Sequence, residues 1–192
     1  MEGNQRAQLL SRMARLEREL LAVRRELADP SVAIPAGSFQ AVCVQVCGDR
    51  YAVPSVQVKQ IIRYARVTHV PNAPRAVQGV LSLRGEAVVI LDTRERLGLG
   101  RTVIDAKTAV LVTLVRDWLV GLIVERTLGV VTLDGSTLAQ PSPATAATVN
   151  VAALGSVAGE LVQLFDLAQL LPPAELELLE GALEGAETEL EW

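Results

Sequence analysis

Few residues in this chain are of types that do covalent chemistry. There is one histidine, His69, and there are two cysteines, Cys43 and Cys47, among 192 residues. His69 lies beside Val70 and Pro71 and reads as a strand-end residue, and one imidazole cannot supply a multi-histidine metal site. Cys43 and Cys47 fall in an apolar stretch with no basic neighbour to favour a thiolate. On one strand they would sit about 13 Å apart, too far for a disulfide. Asp92 and Asp166 could be imagined as an acid/base pair. Their spacing to Glu95 and Gln169 instead matches helix N-caps, whose carboxylates accept from backbone N–H groups. No glycine-rich phosphate loop occurs, and Gly98-Leu99-Gly100 follows a helix end. The expectation is therefore no catalytic residue, no metal and no cofactor. The side chain left to explain is Arg84, in a turn between two apolar runs.

That turn belongs to the segment Gly79–Leu97, GVLSLRGEAVVILDTRERL. Apolar runs on either side of Arg84-Gly85-Glu86 predict two strands joined tightly, with glycine supplying positive φ. A short helix capped by Asp92 follows. The unit recurs when Leu81–Leu97 is laid over Gly155–Leu171. Ser82 then meets Ser156, Gly85 meets Gly159, Glu86 meets Glu160, Val88 meets Val162 and Asp92 meets Asp166. Arg84 meets Ala158, so the charge is present in one copy only. A weaker match relates the strands before each unit: Tyr51 with Trp118, Val53 with Val120, Val56 with Ile123 and Ile61 with Leu128. Each half is thus a hairpin, a further strand, and a strand–turn–strand–helix unit. Short strands with frequent turns in two related halves predict two small, closed or nearly closed sheets. One barrel would come from about residues 39–108 and the other from about 109–171, with exchange of the final strands left open.

Half the residues are hydrophobic but only six are aromatic, so the core must be aliphatic; its expected members include Leu83, Val89, Ile90, Leu91, Val112, Leu114, Val120, Ile123, Leu164 and Phe165. No apolar run has the length of a membrane span, and nothing calls for an oxidising compartment, so the expectation is a cytoplasmic protein without direct membrane insertion. Residues 1–30 carry Leu9, Met13, Leu16, Leu20, Val23 and Leu27 at alternating spacings of four and three, the seam of a coiled coil. With Met13, Leu20 and Leu27 as a positions, Arg12 would face Glu17 of a parallel partner and Glu19 would face Arg24. Self-association through residues 1–29 and docking of this helix on a barrel or a partner remain equal alternatives. Asp29-Pro30 ends the helix and residues 31–38 form a linker. The segment 172–192 is an acidic helix or tail with seven glutamates and no lysine or arginine, so a chain of net charge −4 carries +3 over residues 1–173.

VTHVPNAPRAVQGVLSLRGEAVVILDTRERLGL, the WLVGLIVE hairpin and the GELVQLFDLAQLL ending resemble the CheW-like domain of bacterial chemotaxis signalling, from about Phe39 to Leu171. The resemblance implies an all-β fold of two five-stranded barrels on a shared core. It implies an adaptor without enzymatic activity that couples methyl-accepting chemoreceptors to a CheA-type histidine kinase, recruited to receptor arrays. It places Arg84, the arginine of the L-R-G motif, at the face used for array contacts. Val58, Gly79 and Gly85 fall at positions sensitive for coupling. One departure lies beside Val58. The family usually has glutamate before the isoleucine of its V-x-E-I segment, and this chain has Gln60 preceded by Lys59. That removes a negative charge from a region associated with kinase contact and suggests a specialised kinase partner.

Two alternatives compete with that expectation. Lys59, Arg63, Arg66, Arg75, Arg84, Arg94, Arg96 and Arg101 could make a small-barrel nucleic-acid binder by neutralising phosphates. Only Tyr64 is interleaved as a stacking platform, acids are mixed in, and the chain is acidic overall, so no nucleic-acid partner is expected. The other is a CheW-like scaffold or regulatory module working outside chemotaxis proper.

Overall fold

The computed structural model describes residues 37–141 and 150–180. The heptad positions Leu9, Met13, Leu16, Leu20, Val23 and Leu27 lie outside the described residues. Among the described residues ten strands run in order: β1 (Ser38–Val46), β2 (Asp49–Pro54), β3 (Val58–Arg63), β4 (Val77–Leu83), β5 (Glu86–Asp92), β6 (Ala109–Val115), β7 (Trp118–Val124), β8 (Arg126–Asp134), β9 (Val151–Val157) and β10 (Glu160–Phe165). One-turn helices α1 (Thr93–Arg96) and α2 (Leu167–Leu170) follow β5 and β10.

The strands form two five-stranded sheets with equivalent orders, β8-β1-β2-β10-β9 and β3-β6-β7-β5-β4. Each sheet is closed by a pair of backbone hydrogen bonds from the chain beyond its first strand. Thr68 bonds reciprocally with Val80 at 2.9 and 2.8 Å, and Ala139 with Leu154 at 2.8 Å both ways. The expected halves are therefore interleaved. Each barrel takes one hairpin from one half (β1–β2 or β6–β7) and three strands from the other (β8–β10 or β3–β5). The exchange is larger than a swap of final strands, and the first barrel is not residues 39–108.

Three apolar clusters explain the long aliphatic runs. One fills the first barrel, with Ala41, Cys43, Leu133, Val162 and Leu164. Another fills the second, with Val88, Ile90, Val110, Val112 and Ile123. The third lies between the barrels and includes Val44, Val53, Val89, Leu91, Leu111, Leu122 and Phe165. Successive residues of a strand point to opposite faces, so β5 is apolar from Val88 to Leu91 and β6 from Ala109 to Val112 because both faces are buried; the next residue, buried Thr113, donates its hydroxyl to the Val120 carbonyl. Tyr51 of β2 stacks on Phe165 of β10 with centroids 4.5 Å apart, inside the shared core. Residues 173–180 are helical and lay Leu176 and Leu179 into the same cluster. Pro173 opens this helix, where a missing N–H costs nothing.

Three expectations need correction. Val89, Ile90, Leu91, Val112, Val120, Ile123, Leu164 and Phe165 are buried, but Leu83 is half-buried and Leu114 is 38% exposed. Both stand at strand ends, where the second barrel opens. The first hairpin turns at Cys47-Gly48, with φ of 53° and 86°. Tyr51 consequently matches Val120 and not Trp118: Tyr51 pairs with Gln163 exactly where Val120 pairs with the equivalent Val89. Finally, Glu95 does not return to the cap of α1. It is ion-paired with Arg75, while the Asp92 backbone N–H donates to the Ala76 carbonyl.

Candidate partner-binding site

Three hairpin turns share one geometry. Cys47-Gly48, Arg84-Gly85 and Ala158-Gly159 all have positive φ at both central residues, at 53° and 86°, 53° and 89°, and 52° and 82°. This is the mirror-image two-residue turn whose twist suits antiparallel strands. Gly85 takes its φ without penalty, whereas Arg84 holds the left-handed conformation at a cost of about 1–2 kcal/mol. Ala158 adopts the same backbone, so the turn does not need a guanidinium. The strained backbone carries Arg84 into solvent at the open end of the second barrel.

Topology brings Lys59 and Gln60 to that end. β3 starts there, and the β4–β5 and β6–β7 turns lie side by side because β5 and β7 are parallel neighbours. Lys59, Gln60, Leu83, Arg84, Glu86, Val112, Leu114, Asp117 and Leu119 line an open groove of about 390 Å³. Its floor continues the barrel's interior, since Leu83 and Leu119 pack against Val88, Ile90 and Val112. The rim holds the charges: Lys59, Arg84, Glu86 and Asp117 are exposed. Among the described residues, neither Lys59 nor Arg84 forms an ion pair, whereas Arg75, Arg94 and Arg96 are paired with Glu95, Glu125 and Glu175. Three of the eight cations that suggested phosphate binding are thus neutralised within the fold.

Val58 and Gly79 stand apart from the groove lining. Val58 is half-buried against the shared core. Gly79 is buried with φ of 149°, and a Cβ there would lie 2.1 Å from the Thr68 carbonyl oxygen. It cannot offer a side chain to a partner; it lets the closing strand approach β4. Leu83, Leu114, Leu119, Glu86 and Asp117 are the groove residues that sequence reasoning missed. The available signal was their place at the ends of strands flanking the Arg84 turn.

The other chemical candidates resolve as structure. Asp92 is 1% exposed and its carboxylate accepts five hydrogen bonds, from the backbone N–H of Arg94 and Glu95, the Gln78 amide, and the Thr102 N–H and hydroxyl, while its own N–H is bonded as above. Asp166 caps α2 through the N–H groups of Ala168 and Gln169. Burial pushes the Cys43 thiol up, with the Arg50 charge opposing, so it is a poorer nucleophile than a free cysteine. Among the described residues no three metal-binding side chains cluster, and no helix is long and apolar enough to cross a membrane. The groove can clamp an apolar side chain between a planar, permanently charged fork and an ammonium group.

Comparison with known proteins agrees with this architecture. The family model described as the CheW-like domain matches residues 40–175. The chain is 29% identical over 136 residues to the chemotaxis protein CheW of Klebsiella aerogenes, covering 69% of this chain and 81% of the relative. It is 26% identical over 144 residues to the chemotaxis protein CheW of Rhizobium meliloti, covering 73% and 92%. The fold matches the crystal structure of the scaffolding protein TtCheW from Thermoanaerobacter tengcongensis with a TM-score of 0.66 and 20% identity, covering 69% of this chain and 92% of that one. With a family match over most of its length and the same paired-barrel fold, the chain belongs to the CheW-like domain family.

Proposed function

We propose that this protein is a non-enzymatic adaptor in bacterial chemosensory signalling, joining methyl-accepting chemoreceptors to a CheA-type histidine kinase on the cytoplasmic side of receptor arrays. Membership of the family carries the general role. The observation that supports a site for it is the groove at the open end of the second barrel, lined by Arg84, Lys59, Gln60 and exposed Leu114. Covering the part of Leu114 that is exposed is worth about 1 kcal/mol, and an arginine with no ion pair among the described residues can select a carboxylate or a helix C-terminal carbonyl. An amphipathic helix with an apolar anchor and an adjacent acid fits both features.

Arg84→Glu tests the assignment. The side chain is exposed and makes no ion pair among the described residues, so stability should change by no more than about 1 kcal/mol. Co-sedimentation with receptor and kinase should fall about tenfold or more, because a like charge now faces the partner's acid. Melting and co-sedimentation on one preparation separate the outcomes. A variant that folds and couples normally places the interface elsewhere.

A further inference from the structure

The end of the second barrel opposite the Arg84 turn is built differently from the groove. β3 and β7 finish there, β6 begins there, and residues 97–108 cross it between α1 and β6. Within that crossing Val103 is 77% exposed and Ile104 is 44% exposed. The residues on either side hold this pair in place. Before it, Thr102 donates its backbone N–H (2.9 Å) and its hydroxyl (2.7 Å) to the buried Asp92 carboxylate. After it, the Asp105 backbone N–H donates to the Thr108 hydroxyl at 2.8 Å, and the Asp105 carboxylate accepts from the N–H groups of Lys107 and Thr108. Two aliphatic side chains are thus presented to solvent on an anchored backbone, with little left to order on binding.

The charges around them are unbalanced. Val103 lines a cleft of about 250 Å³ with Arg94, Asp105, Lys107, Glu125 and Arg126. Arg63 ends β3 opposite Ala109, and Arg101 precedes the anchored Thr102. The acids at this end are engaged. Asp92 is buried under its five hydrogen bonds, Asp105 is held by backbone N–H groups, and Glu125 lies 3.6 Å from Arg94 and accepts from the Cys47 N–H. Arg63, Arg101, Lys107 and Arg126 are exposed and form no ion pair among the described residues. This face is therefore net positive, whereas Lys59 and Arg84 of the groove are balanced by Glu86 and Asp117. We infer that this end of the second barrel is a second docking surface, for an acidic protein segment that sets an aliphatic side chain against Val103 and Ile104 and its carboxylates on Arg101, Lys107 and Arg126. Asp105 and Glu125 stand among the cations and oppose a flat anionic surface such as a membrane, while one segment can lay its carboxylates between them. Tyr64, which follows β3, packs against the barrel's interior cluster, so it offers nucleic-acid bases no stacking platform. The inference goes beyond the proposed function and does not rest on the Arg84 groove.

Titration of the isotope-labelled whole chain with a synthetic amphipathic peptide of glutamate, alanine and leucine tests the surface. Amide signals of Val103, Ile104, Lys107 and Arg126 should shift and saturate. Val103→Ser with Ile104→Ser should weaken binding about tenfold. Lys107→Gln with Arg126→Gln should weaken it about three- to tenfold and flatten its dependence on salt. All four side chains are exposed, so both variants should keep the wild-type melt. Arg84→Glu should leave the titration unchanged. Loss of the shifts in Arg84→Glu puts the peptide in the groove and overturns the inference. An equal titration by a peptide with serine in place of leucine reduces the contact to charge alone and overturns it too. So does the absence of shifts in residues 101–107 at millimolar peptide. Tighter binding of phosphatidylserine vesicles or polyuridylate than of the peptide, through the same residues, assigns the face to a membrane or a nucleic acid and overturns it as well.

Discussion

Arg84 joins two properties that usually exclude each other, a large flexible side chain and a left-handed backbone. With φ of 53° it pays a steric penalty that Gly85 beside it avoids. Ala158 in the matching turn bears the same strain without a charge, so the backbone conformation belongs to the hairpin and the guanidinium does not. Arg84→Gly should therefore raise stability by about 0.5–1 kcal/mol, the relieved strain being partly offset by the freer unfolded chain. It should at the same time weaken partner binding. Urea denaturation and co-sedimentation measured together check this. A loss of stability would mean that the arginine side chain holds the turn through contacts of its own.

At the scale of elements, the closing pair Thr68–Val80 depends on the residue beside it. Gly79 sits at a register shift in the β4–β5 ladder, and the Thr68 carbonyl occupies the place a Cβ would take. In the first barrel the equivalent residue is Ala153, which has no positive φ, so that barrel closes around an ordinary side chain. Gly79→Ala should cost about 2–4 kcal/mol, since a 2.1 Å contact with backbone forces either β4 or the Thr68 segment to move. Ala153→Gly should cost about 1–2 kcal/mol, for backbone freedom and the lost buried methyl. Thermal melts of the two variants side by side decide the point. Reduced coupling in Gly79→Ala would follow from the displaced mouth of the barrel, not from a lost contact.

At the scale of the whole molecule, the interleaving of the halves makes a sharper claim than the duplication does. A fragment of residues 1–108 holds β1–β5, which is two strands of one barrel and three of the other. It lacks β6 and β7, between which and β5 the second barrel's cluster forms, and the β8–β10 partners of the first hairpin. Neither that fragment nor residues 109–192 should fold alone, whereas mixing them should restore the far-ultraviolet β signal and a cooperative melt. Independent folding of the first fragment would contradict the strand order. The heptad segment adds a separate expectation. If residues 1–29 dimerise the chain, Leu16→Asp with Leu20→Asp should give monomers by sedimentation with the barrels still folded.

Turn chemistry, aliphatic runs and capping aspartates made the strands, the one-turn helices and the twofold repeat legible in sequence, because each is a local preference of the backbone. The asymmetry at Arg84 was legible too, because the second copy has Ala158 in the same turn. What sequence could not decide was which strand lies beside which. The first hairpin was aligned two residues out, Tyr51 against Trp118 instead of Val120. A slip of two keeps every side chain on its own face, so the hydrophobic pattern is unchanged and gives no warning. In the same way, strands buried on both faces carry no record of which barrel they enter. Only the tertiary structure could set β3 beside β6, and with it bring Lys59 and Gln60 from one strand, Arg84 from a turn and Leu114 from another strand to a single groove.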